Sequence, residues 1–181
     1  MSKFVMTIFG ASGDLTKRKL MPALYSLYIG KRLPEEFEIL GVGRTVYEDA
    51  DYRTYIYNEM EKFVKSEEQD KEKMKAFVAH LHYLAIDPAL ESGYGQLRLG
   101  IEELSGDSRP DDLLFYLATP PSLYGVIPLH LKSVHLNEGR ARIIVEKPFG
   151  YDLESAEKLN RIYASVSVSY THLRAHETDS Y

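Results

Sequence analysis

Phe4-Val5-Met6-Thr7-Ile8-Phe9-Gly10-Ala11-Ser12-Gly13-Asp14-Leu15-Thr16 takes a short, β-rich, largely apolar run straight into a turn with two glycines and on into a segment of helical character. The turn reads G-x-x-G-x-x-T, where the usual dinucleotide fingerprint reads G-x-G-x-x-G. Gly10 can take a turn conformation closed to residues with a Cβ. Gly13 lets the backbone come close to a pyrophosphate, whose charge the N-terminus of the next helix favours. Ser12 offers a hydroxyl beside Ala11, and the amides of Asp14 and Leu15 add donors. A plain strand-to-helix turn uses two glycines as well, so the loop gains its meaning from the unit around it.

That unit repeats along the chain. Phe4–Phe9, Phe37–Val42, Leu81–Ile86, Leu113–Ala118 and Ala141–Val145 read as strands, each bounded by turn signals or an amphipathic segment. Three are almost wholly apolar, which suits strands covered on both faces and therefore a parallel sheet. Between them the three- and four-residue spacing of apolar side chains predicts helices over Leu15–Ile29, Asp49–Val64, Tyr94–Leu104 and Ser122–Val134. Pro22 interrupts the first, which is expected to restart there. The run 62–75, rich in both charge signs, reads as a solvated helix pair broken near Ser66. The expected fold is α/β, a doubly wound parallel sheet of about five strands or more, which binds ligands at the carboxyl ends of its strands.

Three strand ends carry chemistry. The second ends Gly41-Val42-Gly43-Arg44-Thr45. An NAD enzyme would put a carboxylate there for the ribose 2′-hydroxyl. Arg44 can instead grip a 2′-phosphate bidentately and stack on adenine, with the Thr45 hydroxyl beside it, so NADP is the expected cofactor. The alternative is an exposed surface arginine. The fourth ends Tyr116-Leu117-Ala118-Thr119-Pro120-Pro121, where the prolines stiffen the crossing and Tyr116 reads as a core aromatic whose hydroxyl finds an ordinary partner. The fifth delivers Glu146 and Lys147 ahead of Pro148, which holds Lys147 out of the helical region or in a cis bond. From there the ammonium could reach cofactor and substrate hydroxyls, or it could simply form a solvated pair with Glu146.

Composition narrows the classes. A net charge of −5 disfavours nucleic acid as a partner, and with no cysteine there is no disulfide, thiolate nucleophile or cysteine-rich zinc site. A reducing cytoplasm fits. Phe4–Phe9 is too short for a signal peptide's apolar region, and no run of about 18 apolar residues occurs, so no membrane partner is expected. A short-chain reductase would need Tyr-x-x-x-Lys for proton transfer, and no tyrosine has lysine four positions later.

Taken together, Gly10-Ala-Ser-Gly-Asp-Leu-Thr-Lys-Arg-Lys-Leu-Met-Pro-Ala-Leu-Tyr, Gly41-Val-Gly-Arg-Thr, Tyr116-Leu-Ala-Thr-Pro-Pro and Glu146-Lys-Pro-Phe-Gly-Tyr-Asp-Leu-Glu-Ser-Ala resemble the glucose-6-phosphate dehydrogenase family over residues 4–163. The resemblance implies NADP-dependent oxidation of glucose 6-phosphate at C1 to the 6-phosphogluconolactone, entry step of the pentose phosphate pathway, by a homo-oligomer when full-length. It also implies that Gly10 to Leu15 hold the pyrophosphate and Arg44 the 2′-phosphate. Tyr116 would lie along the cofactor, Asp87 on its adenine side, and Lys147 against both cofactor and sugar.

The family's Arg-Ile-Asp-His-Tyr-Leu-Gly-Lys block and the domain bearing its general-base histidine do not follow. No catalytic residue is therefore assigned, and the chain alone is expected to be inactive. Residues 1–163 are expected to form the NADP-binding domain, with 164–181 an unrelated, disordered tail. A free-standing NADP-binding or sensing module is the alternative function. His172 and His176 would share a helix face, but two ligands on a polar terminal segment make no metal site, and none is assigned; His80, His82, His130 and His135 read as structural.

Overall fold

The computed structural model describes the backbone of residues 2–166 and 169–174, and the side chains of residues 2–166. Six parallel strands form one sheet in the order β3-β2-β1-β4-β5-β6: β1 (Phe4–Phe9), β2 (Phe37–Gly43), β3 (Leu81–Ala85), β4 (Leu113–Leu117), β5 (Arg142–Lys147) and β6 (Ser169–Arg174). Strand order reverses between β1 and β4, so the chain leaves these two carboxyl ends in opposite directions and opens a crevice there. Open α/β sheets take their ligands in that crevice.

Helices cover both faces, as the apolar strands require. α1 (Met21–Ile29), α2 (Asp49–Phe63) and α3 (Lys71–Val78) pack on one face, around Met6, Ile8, Ile39, Tyr52, Ile56 and Phe77. α4 (Tyr94–Ser105), α5 (Ile127–Ser133) and α6 (Leu153–Val166) pack on the other, around Val5, Phe9, Leu97, Phe115, Ile127 and Tyr163. The alternation of Val5 and Phe9 with Met6 and Ile8 across the two cores is the period-two geometry of a strand with no wet side.

Three local features differ from the sequence reading. Asp14 and Leu15 are helical, and Thr16–Leu20 form a π turn that passes directly into α1, with the Met21 amide bonded to the Thr16 carbonyl. Pro22 sits in the first turn of α1. A proline has no amide to bond four residues back, and the wider turn accommodates this without a break. Second, the segment before α5 is a 3-10 turn, Pro121–Leu123, and α5 itself is short. Third, α6 runs on to Val166 and Ser169–Arg174 adds β6, where a disordered tail was expected from residue 164. β5 leaves a row of backbone groups open on its outer edge, and a parallel strand satisfies them. β5 accordingly extends to Lys147, paired with Arg174, so Glu146 and Lys147 are its last two residues and not the start of a loop. Residues 167–168 and 175–181, including His176, lie outside the described residues.

Candidate functional site

At the carboxyl end of β1 the chain turns at Gly10, whose φ is +86°, and a Cβ there would stand 2.1 Å from the Ala118 carbonyl oxygen at the end of β4. Only glycine fits. The Ala118 amide in turn bonds the Phe9 carbonyl at 2.9 Å, so the two strand ends on either side of the crevice are locked together. The Gly10 and Ala11 amides both bond the Val42 carbonyl at 3.0 Å, and the Gly13 amide bonds the Gly10 carbonyl at 3.1 Å. Gly13 therefore closes the loop on itself. The Thr16 hydroxyl adds a bond to the Gly10 carbonyl at 2.9 Å. Asp14 and Leu15 open the helix behind the loop, and the Asp14 carboxylate faces Lys17 at 3.9 Å and Arg18 at 3.5 Å in exposed pairs.

Two tyrosines from α2 hold this loop from below. Tyr52, fully buried, donates to the Ala11 carbonyl at 2.8 Å, and Tyr55 to the Ser12 carbonyl at 3.4 Å. Burial and the neighbouring tyrosines push the Tyr52 hydroxyl well above its ordinary pKa, so it stays a donor.

At the end of β2, Arg44 is exposed and forms no ion pair among the described residues. No carboxylate occupies that strand end. Asp87 follows β3 on the same side of the crevice, but one of its oxygens accepts the Ala89 amide at 2.9 Å and its carbonyl accepts the Leu90 amide at 3.0 Å, so it also shapes its own turn.

On the other side of the crevice, Tyr116 is buried and donates to Glu146 Oε1 at 2.7 Å. Its pKa is driven far upward, first by burial and then by the bond and charge of Glu146. Lys147 is exposed, precedes a cis Pro148, and makes no ion pair among the described residues; the Lys147–Glu146 pair is thus absent. Just past the end of β4 the Thr119 hydroxyl is buried, with no hydrogen-bond partner among the described residues.

A separate cavity of about 650 Å3 lies at the amino ends of β4 and β5, lined by Arg98, Arg109 and His135 among others. Arg98 is already engaged by Glu102 at 2.8 Å, the Val134 carbonyl at 2.6 Å and the Ser108 carbonyl at 3.2 Å. It is a brace between α4 and α5, with little left for an anion.

Residues 7–170 match the family model described as "Glucose-6-phosphate dehydrogenase, NAD binding domain". The chain belongs to the glucose-6-phosphate dehydrogenase family. It is 46% identical over 159 residues to the glucose-6-phosphate 1-dehydrogenase of Aggregatibacter actinomycetemcomitans, an alignment covering 86% of this chain and 32% of that protein. The Treponema pallidum enzyme of the same name is 35% identical over 181 residues, covering 98% of this chain and 35% of its own length. Among solved structures, a glucose-6-phosphate dehydrogenase in complex with its substrate glucose-6-phosphate superposes with a TM-score of 0.80 at 34% identity, over 94% of this chain and 37% of that one. The Mycobacterium avium glucose-6-phosphate 1-dehydrogenase superposes with a TM-score of 0.79 at 31% identity, over 93% and 36%. The chain thus spans about a third of the length of these glucose-6-phosphate dehydrogenases. No described helix is long and apolar enough to cross a membrane.

Along one edge of the sheet the strand ends gather Gly10 to Leu15, Arg44, Asp87, Tyr116 and Lys147, all at carboxyl ends. Sequence reasoning missed Tyr52, Tyr83, Thr119 and the partnership of Tyr116 with Glu146. The alternating pattern marks Tyr83 as a strand residue, yet nothing local announces that its hydroxyl reaches back 38 residues to Thr45.

Proposed function

We propose that this chain is the NADP-binding part of an oxidoreductase that acts on glucose 6-phosphate. The observation that carries the cofactor choice is Arg44: a guanidinium without an ion-pair partner among the described residues, at the end of β2 where an NAD site would present a carboxylate. Two further features suit a dinucleotide. The crevice beside Gly10 has no room for a Cβ, and the Thr119 hydroxyl, without a partner among the described residues, is a buried polar group in want of a bond.

In this reading Gly10, Ala11, Ser12, Gly13, Asp14 and Leu15 wrap the pyrophosphate at the mouth of the helix, and Arg44 clasps the 2′-phosphate. Asp87 borders the adenine side with its second carboxylate oxygen. Tyr116 holds Glu146 in line along the nicotinamide half, and Lys147 donates to a sugar hydroxyl as a compact cation. The bound cofactor supplies a hydride acceptor. Glucose 6-phosphate enters the proposal from the relative solved with it, and turnover is assigned to an assembly of the relatives' full length, a homo-oligomer working in the cytoplasm.

Calorimetric titration of both cofactors tests the reading. Hydrogen bonds to a charged group typically contribute ~1.5–3 kcal/mol, so NADP should bind more tightly than NAD by about that amount. Arg44→Ala should remove most of the gap and leave NAD affinity nearly unchanged. An equal preference in both proteins would make Arg44 a surface arginine only.

A further inference from the structure

The stretch Arg44–Tyr47 leaves the end of β2 as irregular, mostly exposed chain. A bidentate grip on a phosphate needs the guanidinium's backbone to be held still. Among the described residues a single hydrogen bond anchors the stretch: the Tyr83 hydroxyl donates to the Thr45 carbonyl at 2.6 Å. The Tyr83 ring packs against that of Tyr52, which bonds the glycine loop at the Ala11 carbonyl. Tyr52 and Tyr55 hold the glycine loop alone. Tyr83 holds the Arg44 stretch directly and meets the glycine loop through the Tyr52 ring.

The hydroxyl has little freedom. Its ring packs at 4.7 Å from that of Tyr52 and edge-on at 5.2 Å from that of Tyr47. Its amide donates to Asp49 Oδ1 at 2.9 Å, tying β3 to the first turn of α2. Gly43 makes room for it: a Cβ at that position would stand 2.8 Å from the Tyr83 oxygen and 3.5 Å from Ser12 Oγ. Burial pushes the Tyr83 pKa up to about 12, so at neutral pH the group remains a donor.

We propose that Tyr83 is a positioning residue for the cofactor's 2′-phosphate: its hydroxyl pins the Arg44 loop to β3, and its ring, packed on Tyr52, fixes that loop relative to the glycine loop. This deepens the NADP reading above and rests on it. The pyrophosphate grip keeps its own anchors in Tyr52 and Tyr55, so loss of the Tyr83 hydroxyl acts on NADP and spares NAD.

The test is titration of NADP and NAD against the 181-residue chain, its Tyr83→Phe, Arg44→Ala and doubly substituted forms, and Gly43→Ala. One net hydrogen bond corresponds to a loss of roughly 3–10-fold. Tyr83→Phe should weaken NADP by about that factor and NAD by less than about twofold, with an unchanged circular dichroism spectrum. In the double variant the two losses should combine to less than their product, because both act through one loop. Gly43→Ala, which keeps the Tyr83 ring and displaces its oxygen, should give the same selective loss, and it decides the matter should Tyr83→Phe fail to fold. If Tyr83→Phe and Gly43→Ala keep the parent's NADP-to-NAD ratio while Arg44→Ala collapses it, Tyr83 only packs and the proposal is overturned. If the parent shows no preference and Arg44→Ala changes nothing, the NADP reading falls first and takes this one with it.

Discussion

Gly10 concentrates more constraint than any other residue of the site. Its φ of +86° lies where side chains are strained, and the Ala118 carbonyl fills the space a Cβ would need. Gly10→Ala should destabilise the chain by roughly 2–4 kcal/mol, since strain and a backbone collision add. Urea denaturation measures this, and a loss below about 0.5 kcal/mol would mean that the loop turns elsewhere. In the variant the collision pushes β4 away from β1, so its NADP affinity should fall as well. The strand-end positions of Gly10, Arg44 and Lys147 were legible because the apolar runs delimit those strands. Tyr83 and Thr119 were not, because a hydroxyl's importance depends on partners, or their absence, that only the folded chain reveals.

Elements were legible where a long periodic pattern met a clear stop. β1 begins and ends where its apolar run does, and α2 and α4 agree with the spacing to within one residue. The π turn ahead of Pro22 was not, because backbone hydrogen-bond register leaves no mark on apolar spacing; the proline marked the place, and a wider turn stands there where a restart was expected. α6 carries a testable start. The Ser155 amide donates to Asp152 Oδ1 at 2.8 Å, and bonds from Ser155 hold the Asp152 carboxyl below its usual range. A carboxyl depressed in the folded state stabilises above its unfolded pKa, and that contribution is lost as pH falls through the folded value. The stability difference between the parent chain and Asp152→Ala, read by denaturation, should therefore be present near neutral pH and close as pH falls through the carboxyl's depressed folded value. A gap independent of pH would show that the cap acts without its charge.

Over the whole molecule, the doubly wound order was legible because alternating strands and helices with right-handed crossovers leave few other arrangements. β6 was not: its residues read as a serine-rich tail, and what recruits them is the open edge of β5, a property of the assembled sheet. The order β3-β2-β1-β4-β5-β6 puts the site at the reversal between β1 and β4, far from the cavity at the opposite strand ends that Arg98 braces. In the proposed complex NADP lies across that reversal with its 2′-phosphate on the β2 side. Backbone amide chemical shifts, recorded by NMR as NADP is added and again as NAD is added, test this most directly. The amides of Gly10 to Leu15 should move with both cofactors, and those of Arg44 and Thr45 should move with NADP far more than with NAD. Shifts centred instead on Arg98, Arg109 and His135, or identical shifts of Arg44 and Thr45 with the two cofactors, would contradict it.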